Sequence, residues 1–375
     1  MKKYLFISLV LILSMFLSAC NQTNKTTGNN GSQSEGGESI SIMTSLYPLQ
    51  YFAERIGGDL VKVESLLPPG SDAHTFEPTS KDMISIAESD LFIFNGLGME
   101  SYAEKITKSL ENEDTIMVEA TKGVDVIASS HDHSEEGHHD EGEAAHEEDH
   151  HEEGDAAHEE EHHEEGDAAH EEEHHEEGDA THEEEHHEED AAVHEEEHHH
   201  GDYDPHVWLD PNRAIGLAEN IRDALIDLQP QHKDSFNQNF DELKKDLESI
   251  DTEFTSLAQE SDHPEILVSH AAYGYWEDAY GIEQLAVAGL SPTDEPSQKE
   301  LKEIIETAKE HSIHYVIFEQ NVTTRVAEII QKEINAKPLK VHNLSVLTES
   351  DIENNENYLT LMKKNIKILE QAMND

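Results

Sequence analysis

Three histidines stand apart from the rest of the chain. His74 lies in Ala73-His-Thr-Phe-Glu-Pro78, His206 in Asp204-Pro-His-Val-Trp-Leu-Asp-Pro211, and His270 in Val268-Ser-His-Ala-Ala-Tyr-Gly274. Pro205 and Pro211 bracket His206, and a pyrrolidine ring fixes φ wherever it occurs. A stiff loop with a single imidazole holds one ligand still. Three such imidazoles brought together would make a metal site. Neutral imidazoles suit zinc, whereas manganese favours carboxylate oxygens. The expectation is a three-histidine site in a cleft between two lobes.

A second set of histidines has a different character. Residues 131–200 contain 33 acidic residues and 20 of the chain's 28 histidines, with no Lys or Arg. The unit His-Glu-Glu-Gly-Asp-Ala-Ala-His-Glu-Glu-Glu-His starts at His151 and recurs with a period of 12 at His163 and His175, degenerating at His187. The segment has no aromatic residue and a single β-branched aliphatic, Val193. It cannot bury enough apolar surface to offset its chain entropy, so disorder is expected. An acidic tract alone would keep the chain solvated, but it would not need imidazoles. His151, His158, His162, His163, His170, His174, His175, His182, His186 and His187 sit among carboxylates. That mixture makes a weak, multivalent trap for divalent transition metals.

The formal net charge of −60 over 375 residues is therefore misleading, because the insertion supplies much of it. Elsewhere 51 acids face 24 bases. No basic patch is present, so nucleic acid is not an expected partner. At the start, Met1-Lys-Lys3 precedes an apolar stretch from Leu5 to Leu17. That stretch is too short to span a membrane as a mature helix and reads as a leader peptide over residues 1–19. It ends in Leu17-Ser-Ala-Cys20, which resembles a bacterial lipobox, so Cys20 is the expected lipid-bearing residue. Cys20 is also the only cysteine, which excludes an internal disulfide and a cysteine-based zinc site. Residues 20–38, rich in Asn, Thr, Gly and Ser, read as a flexible tether.

The elements that must position the three histidines follow from the apolar patterning. In a first lobe, 39–130, short apolar runs at 40–46, 61–67, 91–94 and 115–118 alternate with helical patterns, which implies a parallel sheet with helices on both faces. His74 follows the second strand, at the carboxyl end where such sheets bind ligands. A second lobe, 263–375, repeats the arrangement with runs at 265–268, 284–287, 315–318 and 339–344. His270 ends the first of these, Glu319 ends the third and Ser345 follows the fourth. Between the lobes, 202–262 holds the His206 loop and linking helices. Phe236, Phe240, Leu243, Leu247, Ile250, Phe254 and Leu257 recur at gaps of four and three. They form one apolar stripe on a helix of about 28 residues, roughly 40 Å long. The fold class is α/β: two four-stranded parallel βα lobes, one long helix, and the disordered insertion at 131–201.

The lipobox, the three histidine motifs and Asn95-Gly-Leu-Gly-Met-Glu100 occur in one order. Together they resemble the metal-binding solute-binding lipoproteins of bacterial ABC transporters, in particular the zinc-uptake branch. The resemblance runs from about residue 39 to the C-terminus, apart from the insertion. It implies a rigid monomer with Zn²⁺ as cargo, held between lobes joined by the long helix, lipid-anchored on the extracytoplasmic membrane face. An ABC permease and its ATPase would be the partners, and His74, His206 and His270 match the family's three ligands. Family members often add a carboxylate after the last strand, where this chain has Ser345, a poor zinc ligand. Either a water or Glu319 then completes the site, and Glu319 can equally serve as a structural residue that hydrogen-bonds loop backbone. The family's manganese importers tend to carry Glu at the position of His270, which argues against manganese. Three histidines with one open position is also the arrangement of a catalytic zinc. However, no HExxH pattern or nucleophile motif is present, Glu319 is the only carboxylate candidate for a general base, and no enzyme is expected. A surface adhesin or extracellular zinc buffer is the other alternative.

Deleting residues 131–200 should leave folding and one tight zinc site intact while removing several weaker ones, as read by calorimetric zinc titration. Loss of the tight site on deletion would mean that the insertion supplies one of its ligands.

Overall fold

A computed structural model describes residues 39–110, 113–129, 202–261, 263–322 and 324–374. The leader, Cys20, the tether and the histidines of the insertion lie outside the described residues.

The first sheet contains β1 (Ile40–Thr44), β2 (Val61–Ser65), β3 (Leu91–Phe94) and β4 (Ile116–Glu119). All pairings are parallel, in the order β2-β1-β3-β4. The second contains β5 (Glu265–His270), β6 (Glu283–Ala288), β7 (Tyr315–Glu319) and β8 (Lys337–Val341) in the equivalent order β6-β5-β7-β8. Central β5 and β7 are buried almost throughout, as their Ile, Val, Leu and Phe content requires of strands covered on both faces. Edge strand β2 alternates between exposed and half-buried positions. In each sheet the order reverses between the first and third strands. That switch point opens a crevice at the carboxyl ends, and in the second sheet His270 and Glu319 flank it on neighbouring strands.

The last strand differs from the sequence reading, which carried it from 339 to Leu344. Pro338 lies inside β8, opposite Val316, which an edge strand tolerates. The chain leaves the sheet after Val341, because the His342 N–H donates to Asn365 Oδ1 at 2.8 Å and Leu344 adopts φ 62°. His342, Asn343 and Leu344 thus form a turn at the mouth of the crevice.

Ten helices among the described residues cover the sheets. The first lobe carries α1 (Tyr47–Gly57), α2 (Ser80–Ala87) and α3 (Ala103–Ser109). Two linking helices follow, α4 (Pro211–Leu228) and α5 (Lys233–Glu260). The second lobe carries α6 (Gly274–Tyr280), α7 (Gln298–Glu310), α8 (Arg325–Glu333), α9 (Glu349–Glu353) and α10 (Tyr358–Asn374). Capping boxes start α2 at Thr79, α7 at Ser297 and α9 at Thr348. None of these helices is long and apolar enough to cross a membrane.

The long helix α5 has 28 residues, and its buried face is the Phe236-to-Leu257 stripe that the spacing predicts. It packs on α1 from the first lobe and on α6 and α10 from the second. One continuous apolar core therefore runs through both lobes, from Ile42 and Phe52 through Trp208, Leu247 and Phe254 to Val268, Trp276 and Tyr358. Smaller clusters, around Phe92 and Val316, serve the individual lobes. Two backbone hydrogen bonds also join the lobes, Tyr47 N–H to Ser345 O at 3.0 Å and Gly70 N–H to Leu347 O at 2.9 Å.

Bending the lobes apart would break this shared core, so zinc binding should change loops and little else. Solution scattering of zinc-free and zinc-loaded protein, with residues 131–200 removed, should give superimposable curves. A clear compaction on loading would contradict the shared-core argument.

Candidate metal centre

The His206 segment holds no α-helix or strand, only a 3-10 turn at Val207–Leu209, yet residues 204–210 are all buried. Buried backbone carbonyls need partners, and here side chains from both lobes provide them. Tyr275 Oη donates to Asp204 O at 2.7 Å, Asn95 Nδ2 to Pro205 O at 2.9 Å, Tyr358 Oη to Trp208 O at 2.5 Å, and Trp276 Nε1 to Leu209 O at 2.8 Å. Leu209 N–H and Asp210 N–H close the remaining two, onto His206 O and Val207 O. Asp210 then caps α4 through the Asn212 N–H at 2.7 Å, with Pro211 at the first helical position. In the first lobe, Glu100 accepts from the Asn95 and Gly96 N–H groups and from Ser45 Oγ, which fixes the loop that supports Pro205.

This frame orients His206. Asp204 Oδ1 accepts from His206 Nδ1 at 2.8 Å and from its N–H at 2.9 Å, so Nε2 is the nitrogen left facing the crevice. His206 Nε2 and His74 Nε2 lie 3.2 Å apart. A tetrahedral zinc with bonds of 2.0–2.1 Å separates its ligands by about 3.3 Å, so two imidazoles already stand at ligand spacing. Asp72 shapes the His74 loop by accepting from the His74 N–H at 3.0 Å and from Thr75 Oγ1 at 3.2 Å. His270 completes the set. Its ring centroid is 5.7 Å from that of His74 and 5.4 Å from that of His206. One nitrogen of each imidazole lies within 4.8 Å of the other two. His206 and His270 are each 1% exposed, and His74 is the half-buried member of the trio, on the solvent side.

Neither ring nitrogen of His270 has a hydrogen-bond partner among the described residues. Nδ1 does lie 2.5 Å from Glu319 Oε1, at ion-pair distance. Nε2 is a buried orphan, a costly state that a metal ion in the crevice would relieve. Burial alone would lower the pKa of His270, yet the facing Glu319 carboxylate outweighs it and the net shift is upward. For Glu319 burial pushes upward, His270 and Asn343 pull downward, and the carboxyl ends below its usual range.

The sequence-predicted residues thus fall into three groups. His74, His206 and His270 converge. Glu319 stands behind His270 with both oxygens engaged, Oε1 also by Tyr273 Oη at 3.2 Å and Oε2 by Asn343 Nδ2 at 2.6 Å. Ser345 turns its hydroxyl to Asn343 Oδ1 at 2.9 Å. Cys20 and the insertion histidines lie outside the described residues. Sequence reasoning gave no role to Asp204 or Asn343. The Asp-Pro-His spacing contains a signal for the first, since a side-chain oxygen can reach a backbone N–H two residues on. Asn343 gave none, because it read as part of the last strand.

Two βα lobes with imidazoles meeting at their facing strand ends define a two-lobed protein that, among the described residues, carries a three-histidine centre able to hold a metal ion. The family model described as "Zinc-uptake complex component A periplasmic" matches residues 42–372, and the chain belongs to this family. It is 31% identical to the zinc-binding lipoprotein AdcA of Streptococcus pneumoniae (strain ATCC BAA-255 / R6), over 98% of this chain and 60% of that one. The chain thus spans about 60% of the length of the first curated relatives it matches. It is 27% identical to the high-affinity zinc uptake system protein ZnuA of Bacillus subtilis (strain 168), over 99% of this chain and 98% of the relative. Among solved structures, the Zn(II)-bound ZnuA-like domain of Streptococcus pneumoniae AdcA superposes with a TM-score of 0.63 at 27% identity, covering 90% of this chain and 100% of that one.

A pH dependence follows from the neighbouring turn. His342 Nδ1 accepts from the Leu344 N–H at 3.0 Å, and its Nε2 meets Asp351 Oδ2 at 3.1 Å, which fixes the neutral tautomer protonated at Nε2. Burial lowers its pKa more than Asp351 and Glu319 raise it. A depressed folded-state value gives stability that is present above the unfolded value of about 6.5 and is lost as pH falls toward the folded one. Urea unfolding of the zinc-free protein between about pH 7 and 5 should therefore show a steeper loss of stability in the parent than in His342→Gln. Parallel slopes would refute the assignment.

Proposed function

We propose that the chain is an extracytoplasmic zinc-binding protein that captures Zn²⁺ and passes it to an ABC permease for import. The observation that carries this reading is the convergence of His74, His206 and His270 on one crevice, with His270 Nε2 buried and without a partner. The three imidazoles act as the protein ligands. Asp204 and Glu319 act as outer carboxylates that set ring orientation, a role such groups commonly play at metal-bound histidines. Both oxygens of Glu319 are occupied, and Ser345 faces away toward Asn343. A water would then complete the site.

The donor set favours zinc over manganese, because all three donors are neutral nitrogens. Ligand imidazoles must be unprotonated, so affinity falls as pH drops through their titration range. The family, and the zinc-binding and zinc-uptake names of the relatives, support the same cargo. Delivery to a permease, anchoring through lipid on Cys20, and metal capture by the insertion complete the reading. Binding without turnover fits a site whose one nearby carboxylate in the second lobe is held by His270, Tyr273 and Asn343.

Replacing His74, His206 or His270 singly with Ala, in protein lacking residues 131–200, should weaken the tight zinc site by orders of magnitude in competition titrations. If all three variants titrate like the parent, the zinc lies elsewhere.

A further inference from the structure

Asn343 engages both its backbone polar groups and its whole side chain, and its partners lead to the segments that bear His74, His206 and His270. Its Nδ2 donates to Glu319 Oε2 at 2.6 Å, and the other oxygen of Glu319 is the one 2.5 Å from His270 Nδ1. The same Nδ2 donates to Asn321 Oδ1 at 3.2 Å. Asn321 Nδ2 in turn donates to Ser71 O at 2.7 Å, three residues ahead of His74. The Asn343 carbonyl accepts from Trp208 Nε1 at 2.8 Å, two residues beyond His206. Asn343 itself is held from the opposite side. Its Oδ1 accepts from Ser345 N–H at 3.1 Å, from Ser345 Oγ at 2.9 Å and from Gln320 Nε2 at 2.7 Å, while its N–H donates to Gln320 Oε1 at 2.9 Å.

We propose that Asn343 is the positioning residue of the zinc site, registering the three histidines on one another through Glu319, Asn321 and Trp208. The proposal rests on the three-histidine reading above. Asn343 touches no metal. It supplies the donor that Glu319 needs on Oε2, because an ionised carboxylate is acceptor-only. With Oε2 held, Oε1 stays on His270. The two halves of the amide do separable work: Oδ1 builds the turn, and Nδ2 holds the site.

Asn343→Asp separates them. It keeps size, backbone contacts and the oxygen that accepts from Ser345 and Gln320. It converts the donor facing Glu319 and Asn321 into an acceptor. Two carboxylates then face each other across a hydrogen-bond distance, and Glu319 swings off His270. In protein lacking residues 131–200, Asn343→Asp should bind zinc about 10–100-fold more weakly, the usual cost of a lost outer partner. Cobalt(II) placed in the site should show shifted ligand-field bands, which a residue that only builds the turn would leave alone. Adding Glu319→Gln restores a donor–acceptor pair in reverse, so the double variant should fold and bind more tightly than Asn343→Asp. If the single variant fails to fold, the double variant alone decides: folding with the tight zinc site regained supports the pairing, and folding without that site overturns it. Parental affinity and cobalt spectrum in Asn343→Asp would overturn the proposal, as would a double variant no tighter than the single. If the parent lost no zinc affinity on substitution of its histidines, the site reading itself would fail instead, and the two failures are distinguishable.

Discussion

An irregular stretch of backbone is buried between two lobes, and its polar groups must all be satisfied. Each unpaired buried group costs about 1–3 kcal/mol. Six unpaired carbonyls from Asp204 to Leu209 would cancel the whole stability of a typical domain, about 5–15 kcal/mol. The donors are therefore obligatory, and Tyr275, Trp276 and Tyr358 must stand where the segment passes. These residues bring α6 and α10 against the segment, while Asn95 brings the loop after β3. The same bonds that make burial tolerable fix the relation of the lobes and leave His206 Nε2 facing the crevice, 3.2 Å from His74 Nε2.

The electrostatics follow from that burial. Charge in a dry site is costly unless paired, and the site pairs each inner imidazole with one carboxylate, His206 with Asp204 and His270 with Glu319. In the zinc-free protein the Glu319 pair tends toward the ionised state, because each partner stabilises the other's charge. Zinc would replace the proton on His270 as the positive charge facing Glu319. The site is thus charge-paired ahead of any cation, and His74 is the half-buried member of the trio.

The joining of the lobes has the same origin. One apolar core passes through both lobes along α5, and the turn at 342–347 bonds across to the first lobe at Tyr47 and Gly70. The turn also carries Asn343, so the element that ties the lobes is the one that backs the metal centre. The network around Asn343 reaches the segments that bear all three histidines, through Glu319, Asn321 and Trp208.

Much of this was legible in the sequence. Apolar patterning located the eight strands: the central β3, β5 and β7 are runs of mostly large apolar residues, as burial on both faces requires, and the edge strand β2 shows alternation instead. The stripe from Phe236 to Leu257 fixed the face of α5 residue by residue, since a helix repeats every 3.6 positions whatever it packs on. The three ligand candidates stood out as single imidazoles in stiff or small-residue contexts, and the resemblance of their motifs to a family set their order. Tertiary structure alone decided their partners. Glu319 is 49 residues from His270, and Asn343 lies 24 beyond Glu319. No local pattern announces which oxygen of a buried carboxylate will meet which nitrogen. The last strand was misjudged at its end for the same reason. Val-His-Asn-Leu looks extended by composition, but Asn365 on α10 takes the His342 N–H and turns the chain out of the sheet. Local preference sets the elements, whereas hydrogen bonds between residues distant in the chain are settled only when packing brings them together.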